Sequence, residues 1–284
     1  MRSSHHRNHH ARRLLCLTAL ACFVAGGAAY ACTHKAAVPQ LPELSAESLA
    51  QPASALPETP VQQPAENGVQ QSTLTAAQAQ AILDDPRMIL VSRTHPITED
   101  YPVETKECGS ATAINKTLQT EAADAFLSMQ AAAAKDGVDV RMQSGYRSVS
   151  YQKKLYDNKT QYYRDKGLSE AAAREKAAVI VNPPGCSEHN CGLAADLNSP
   201  EHTTLDTGFA DTAAFRWLCE NAEQYGFILR YPKEAESVTG ITYEPWHWRY
   251  VGPENAALLN QSGLCLEDAV AVLQRIAAGE TVTG

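Results

Sequence analysis

The chain has 284 residues, 44% of them apolar, and a formal net charge of −8. That length holds one large domain or two small ones. The acidity argues against nucleic acid as a partner, because phosphate binding needs a basic face, and it deepens once the N-terminal Arg2, Arg7, Arg12 and Arg13 are set aside.

Those arginines precede residues 14–32, a run of nineteen uncharged, mostly apolar residues. The pattern predicts a secretory signal or a single membrane anchor over residues 1–32, and hence an exported protein of the cell envelope, anchored or secreted. Ala29-Tyr30-Ala31 fits a small-x-small cleavage site. Cys32 or Cys22 is a candidate for lipidation, although neither follows the leucine usual three residues earlier. Residues 33–72 carry Pro39, Pro42, Pro52, Pro57, Pro60 and Pro64 among Ala, Gln, Glu and Ser. With few large apolar residues to bury, this stretch reads as a disordered tether. Contact with a membrane is expected only through the N-terminal segment, and a monomer is expected.

The folded domain is expected over residues 73–284. Residues 75–85 suit a short helix stopped by Pro86, and residues 88–91 a strand. Residues 114–135 read as a helix, with Leu118, Ala122, Ala125 and Met129 on one stripe and Gly137 beyond its end. Residues 138–143 alternate like a strand and lead into Ser144-Gly145-Tyr146-Arg147-Ser148. Helices follow over 151–166, over 169–181 with Ser169 as cap, and over 211–225 with Asp211 as cap. Strands are expected over 227–231 and 241–251, the latter interrupted by Pro245, and two helices over 253–278. The mixture predicts an α+β fold.

Two stretches concentrate chemistry. Cys186-Ser187-Glu188-His189-Asn190-Cys191-Gly192-Leu193-Ala194-Ala195-Asp196-Leu197 holds a histidine and an aspartate seven apart. In an unbroken strand that odd separation would put them on opposite faces, so the chain must bend between them, and Gly192 allows it. Leu193, Ala195 and Leu197 would then line one face, with Asp196 on the other. Glu244-Pro245-Trp246-His247-Trp248-Arg249-Tyr250 adds a second histidine and a glutamate. A turn at Pro245, which cannot donate to a central strand, would bring Glu244 and His247 to one side. Three ligands and a carboxylate to manage protons are the parts of a catalytic zinc site. Cysteines 186 and 191 flank His189, so a bridge between them could stiffen the loop; Cys108, Cys219 and Cys265 could pair in several ways. A rival arrangement makes Cys186, His189 and Cys191 a structural zinc site, which would leave Asp196, Glu244 and His247 unemployed.

The Ser-Gly-Tyr-Arg-Ser, Ser-Glu-His-x-x-Gly-Leu-Ala-x-Asp-Leu and Glu-Pro-Trp-His-Trp-Arg-Tyr blocks, in this order, resemble the VanY-type zinc D,D-carboxypeptidases. The resemblance covers roughly residues 87 to 252. It implies a hedgehog- and D,D-peptidase-like fold in which helices flank a central antiparallel sheet carrying one Zn²⁺. It implies His189, Asp196 and His247 as ligands and Glu244 as general base on the attacking water. Arg147, assisted by Gln152, would bind the terminal carboxylate of a peptidoglycan stem peptide, a match for the two-pronged guanidinium. Ser187 is a further candidate for that carboxylate, and Tyr231 and Trp246 for the cleft wall. The implied reaction is hydrolytic removal of a C-terminal D-Ala. A peptidoglycan endopeptidase is the alternative, but an internal bond offers no carboxylate to Arg147. A wall-binding module without turnover would have no use for Glu244.

Overall fold

The computed structural model describes residues 74–280; the leader and tether expected over residues 1–72 lie outside them. Thr75 opens α1 (Ala76–Leu83), its hydroxyl accepting from the Gln78 N–H while the Gln78 side chain reaches back to the Thr75 N–H. This capping box satisfies two donors that a helix start leaves bare. A 3₁₀ turn, Pro86–Met88, then replaces the start of the strand expected over 88–91. The carbonyls of Arg87 and Ile89, which a strand would offer to a neighbour, are both taken by the Arg249 guanidinium at 2.8 Å.

Two short strands, β1 (Thr105–Glu107) and β2 (Thr117–Gln119), pair antiparallel. The helix expected from residue 114 therefore starts only at Thr120, as α2 (Thr120–Lys135). Its would-be first turns are drawn out by tertiary hydrogen bonds: Tyr146 N–H donates to Thr117 C=O, and Gln119 N–H to Gly192 C=O. The Gln119 side chain then caps α2, accepting from the N–H groups of Glu121 and Ala122.

The main sheet has four strands: β3 (Arg141–Ser144), β4 (Ala194–Asn198), β5 (Phe227–Leu229) and β6 (His247–Tyr250), all antiparallel in the order β3-β4-β6-β5. Between β3 and β4 run α3 (Val149–Asp165) and α4 (Glu170–Ala178). Between β4 and β5 runs α5 (Ala213–Asn221), and between β5 and β6 the short α6 (Glu236–Thr239). Helices α7 (Pro253–Ser262) and α8 (Leu266–Ala277) close the described chain. The α+β class expected from the sequence is found. Several ends differ. Thr212, not Asp211, caps α5, its hydroxyl accepting from Phe215 N–H. That helix gives way to a 3₁₀ turn before Gly226. The strand expected over 241–251 begins only at His247, after the Pro245 turn.

The sheet separates two cores. One face, with Leu197, Phe227, Trp248 and Tyr250, packs on Phe126 and Met129 of α2 and Leu118 of β2. Ile228, next to Phe227 and so pointing the other way, joins Val251, Leu259, Leu266 and Leu273 in a second cluster with α1, α7 and α8. A fully buried side chain such as Phe126 contributes about 1.5–3 kcal/mol to stability. Every residue of β4 is buried, so the strand that carries Asp196 is covered on both faces. No single described helix is long and apolar enough to cross a membrane. Cys108, Cys186, Cys191 and Cys265 are free thiols, so no bridge joins Cys186 to Cys191. Cys191 instead donates its thiol to the Glu188 carbonyl.

Candidate active site

The bend anticipated at Gly192 is present. Glu188–Cys191 forms a 3₁₀ turn that ends at Gly192 with φ 75°, the left-handed region glycine enters at no steric cost. The turn buries His189, and the chain then straightens into β4 to present Asp196. Asp196 lies opposite His247 across β4 and β6, and opposite Ser144 across β3 and β4, where the register slips between Met142 and Ser144. The Pro245 turn also forms: His247 N–H donates to the Glu244 carbonyl at 3.1 Å, and the Glu244 carboxylate comes within 3.7 Å of His247 Nδ1.

Hydrogen bonding decides which ring nitrogen of each histidine faces Asp196. His189 Nδ1 is 2.8 Å from the Gly145 carbonyl, which can only accept, so Nδ1 carries the proton and Nε2 is free. His247 Nε2 faces a Glu188 carboxylate oxygen at 3.4 Å, which turns Nδ1 toward Asp196. The cleft-facing atoms, His189 Nε2 and His247 Nδ1, each lie 3.2 Å from Asp196 Oδ1. Tetrahedral zinc with bonds near 2.1 Å sets its ligands about 3.4 Å apart, so these separations suit that ion. The three side chains are buried and form the metal-capable cluster among the described residues; Cys186 and Cys191 take no part in it.

All the side chains nominated from the sequence line one cleft of about 540 Å³: Arg147, Gln152, Ser187, His189, Asp196, Tyr231, Glu244, Trp246 and His247. Arg147 immediately precedes Ser148, the N-cap of α3. The Arg147 N–H donates to the His189 carbonyl, and the Asn190 side chain donates to the Arg147 carbonyl, which ties the two loops together. Its guanidinium donates to Asp196 Oδ2 at 2.7 Å, and more loosely to Gln152 at 3.4 Å. Gln152 is fixed in turn by donating to the Asn182 carbonyl. Tyr231 is buried with its ring 4.8 Å from that of His247, so it packs on that histidine as well as walling the cleft.

Charge and burial set the proton affinities. Burial pushes the Glu244 carboxyl up to about 7. Burial also opposes ionisation of Asp196, but His189, His247 and Arg147 hold its carboxylate well below the usual range. In metal-free His247, burial is outweighed by the Asp196 and Glu188 carboxylates, which raise its pKa to about 9.

Residues 115–253 match the family model described as VanY, D-alanyl-D-alanine carboxypeptidase. A D-alanyl-D-alanine carboxypeptidase of Enterococcus faecalis is 38% identical over 200 residues, covering 70% of this chain and 71% of that one. The chain belongs to the VanY family of D-alanyl-D-alanine carboxypeptidases. It is a zinc-dependent carboxypeptidase, a hydrolase. A VanY D,D-pentapeptidase from a VanB-type vancomycin-resistance cassette, solved with Zn(II), is 36% identical, with TM-score 0.55 over 65% of this chain and 98% of that one. The LD-carboxypeptidase LdcB is 34% identical, with TM-score 0.58 over 66% of this chain and 86% of that one.

In this VanY-family chain, sequence reading passed over Glu188, Arg230 and Arg249, which surround the back of His247. Glu188 Oε1 accepts from Arg230 Nε and from Arg249 Nη1, both at 2.7 Å, and all three side chains are buried. Arg230 follows β5 directly and Arg249 lies within β6, both among apolar neighbours. An arginine there must either reach solvent or meet a buried anion, which is the signal that would have found them.

Proposed function

We propose that this chain removes the C-terminal D-Ala from peptidoglycan stem peptides, with His189 Nε2, Asp196 Oδ1 and His247 Nδ1 holding the zinc. The observation that supports this reading is one cleft that joins the three ligand atoms to Glu244 on one side and Arg147 on the other. Zinc supplies a lowered pKa for water and polarisation of the scissile carbonyl. Glu244, with a proton affinity near neutrality, takes the proton from the attacking water and returns it to the leaving amine. Arg147 holds the terminal carboxylate. Its fork already reaches Asp196 and Gln152, so the guanidinium stands beside the metal ligands, within reach of the carboxylate of a leaving D-Ala whose amide lies at the metal. Gln152 keeps Arg147 in place, Ser187 offers a hydroxyl to the same carboxylate, and Tyr231 and Trp246 wall the cleft.

Cell-wall chemistry acts outside the cytoplasm. We further propose that residues 14–32 direct export and that residues 33–72 hold the domain away from the membrane as a monomer.

The test is release of free D-Ala, followed by mass, from a stem pentapeptide ending in D-Ala-D-Ala and from its C-terminal amide. Release from the free acid that stops with a chelator and returns with Zn²⁺ supports the assignment. Equal cleavage of acid and amide removes Arg147 as the carboxylate anchor and favours an endopeptidase. The similarity to LdcB makes the corresponding tetrapeptide the second substrate to run beside it.

A further inference from the structure

The cleft accounts for one side of His247. Its other side faces a buried cluster of charges that the reaction does not touch. Glu188 Oε2 stands 3.4 Å from His247 Nε2, while Oε1 is committed to Arg230 and Arg249. Arg249 is anchored by backbone carbonyls of Tyr250, Arg87 and Ile89. Arg230 is anchored from the opposite direction: its Nη1 and Nη2 donate to the two oxygens of Glu267, at 2.8 and 2.6 Å. Glu267 lies in the first turn of α8, where the helix dipole favours an anion. It also lies beyond residue 253, where the match to the VanY family ends.

We propose that Glu188 is the positioning residue that fixes His247 in its zinc-binding tautomer. Glu267 makes α8 part of the metal centre, by holding Arg230 on the Glu188 oxygen that His247 does not use.

The physical reason is directional. A carboxylate can only accept, so once zinc displaces the proton from Nδ1, the remaining proton of His247 is kept on Nε2 by Glu188 and the lone pair of Nδ1 is left for the metal. Two guanidinium donors on Oε1 keep Glu188 from rotating to offer both oxygens elsewhere. The buried Glu188, Arg230 and Arg249 and the half-buried Glu267 balance in sign, which lets the cluster persist largely away from water. Without Glu267, Arg230 loses its two-pronged partner, and Glu188 becomes its sole anion among the contacts described here. Arg230 then draws harder on Glu188, which becomes a weaker acceptor for His247.

The inference rests on His247 being a zinc ligand, and the experiment separates the two. Zinc dissociation constants of the full chain are measured by competition with a chromophoric chelator. Glu188→Gln is close to isosteric. Its single carbonyl oxygen is claimed by the arginines, so its NH₂ faces His247 and favours the proton on Nδ1, the wrong tautomer. Zinc binding is expected to weaken 10- to 100-fold, the range for outer-shell partners of ligating histidines. Glu267→Gln is expected to weaken it about threefold to tenfold, as for a residue coupled to a site it does not contact. Wild-type affinity in Glu188→Gln overturns the tautomer role, and a change under twofold in Glu267→Gln overturns the role of α8. If Glu188→Gln does not fold, ring ¹⁵N spectra of the zinc-loaded wild type decide. A proton on His247 Nε2 is expected, and a proton on Nδ1 overturns the proposal. His247→Ala that retains zinc would instead overturn the ligand assignment under Proposed function.

Discussion

Glu244 and His247 sit three residues apart, and burial treats them in opposite ways. Burial favours the neutral form of each, so it raises the proton affinity of the glutamate and lowers that of the histidine. Glu244 ends at about 7. His247 ends at about 9, because Asp196 and Glu188 override its burial. Glu244→Gln removes the proton acceptor but no metal ligand. Turnover should fall by about 10²- to 10⁴-fold, while metal analysis of the purified variant still finds zinc. His247 supplies a pH prediction. Its folded, metal-free pKa lies above the ordinary 6.5, so its stabilising contribution is complete below 6.5 and is lost as pH rises through 9. Zinc needs the deprotonated ring and expels that proton on binding. Zinc affinity should therefore climb about tenfold per pH unit and level off near pH 9. Chelator competition across pH 6 to 10 checks this, and a flat profile would show that His247 is already neutral without metal.

At the scale of elements, the site depends on two changes of direction. Gly192 turns the chain from the His189 loop into β4. A Cβ there would lie 2.9 Å from Val103 Cγ1 and 3.0 Å from Gln119 N, on top of the strain of φ 75°. Gly192→Ala should cost about 1–3 kcal/mol and displace His189 relative to Asp196. Denaturant unfolding measures the first effect and zinc titration the second. A variant that loses stability but keeps zinc affinity would mean that Gln119 and Val103 yield rather than the loop. The Pro245 turn is the other change of direction. Proline suits the second position of such a turn, and the turn's hydrogen bond from His247 to Glu244 fixes both side chains on the cleft side.

Across the whole molecule, the proposed ligands come from a loop, a central strand and the start of another strand, so zinc binding at that cluster requires the folded sheet. Binding to the native state alone adds stability by mass action. At free zinc 100 times the dissociation constant the gain is about 2.7 kcal/mol. For a domain of this size, that corresponds to a rise in melting temperature of roughly 5–10 °C. Melting curves with zinc and with chelator measure the gap. The gap should widen between pH 6.5 and 9, as the metal-free protein loses the contribution of His247 and zinc binds more tightly. A gap that is absent would mean that the metal site is preformed in the unfolded chain or not used.

The local chemistry was legible in the residues themselves. His189, Asp196, Glu244 and His247 are types that bind metal or move protons. Gly192 and Pro245 are types that bend a chain, and their spacing made both bends necessary. The capped start of α4 was equally local, because Ser169 accepts from the Ala172 N–H three residues on; Thr75 and Ser148 cap α1 and α3 in the same way, although the sequence reading did not name them as caps. What the sequence could not decide depended on distant partners. The stretch before Thr120 became a strand because Tyr146 and Gly192 hydrogen-bond to it. The stretch after Met88 stayed unpaired because Arg249 took its carbonyls. The charged cluster of Glu188, Arg230, Arg249 and Glu267 draws on residues about eighty positions apart in the chain. A charged side chain in a sequence does not reveal which opposite charge will meet it; only the fold brings the two together and removes the water between them.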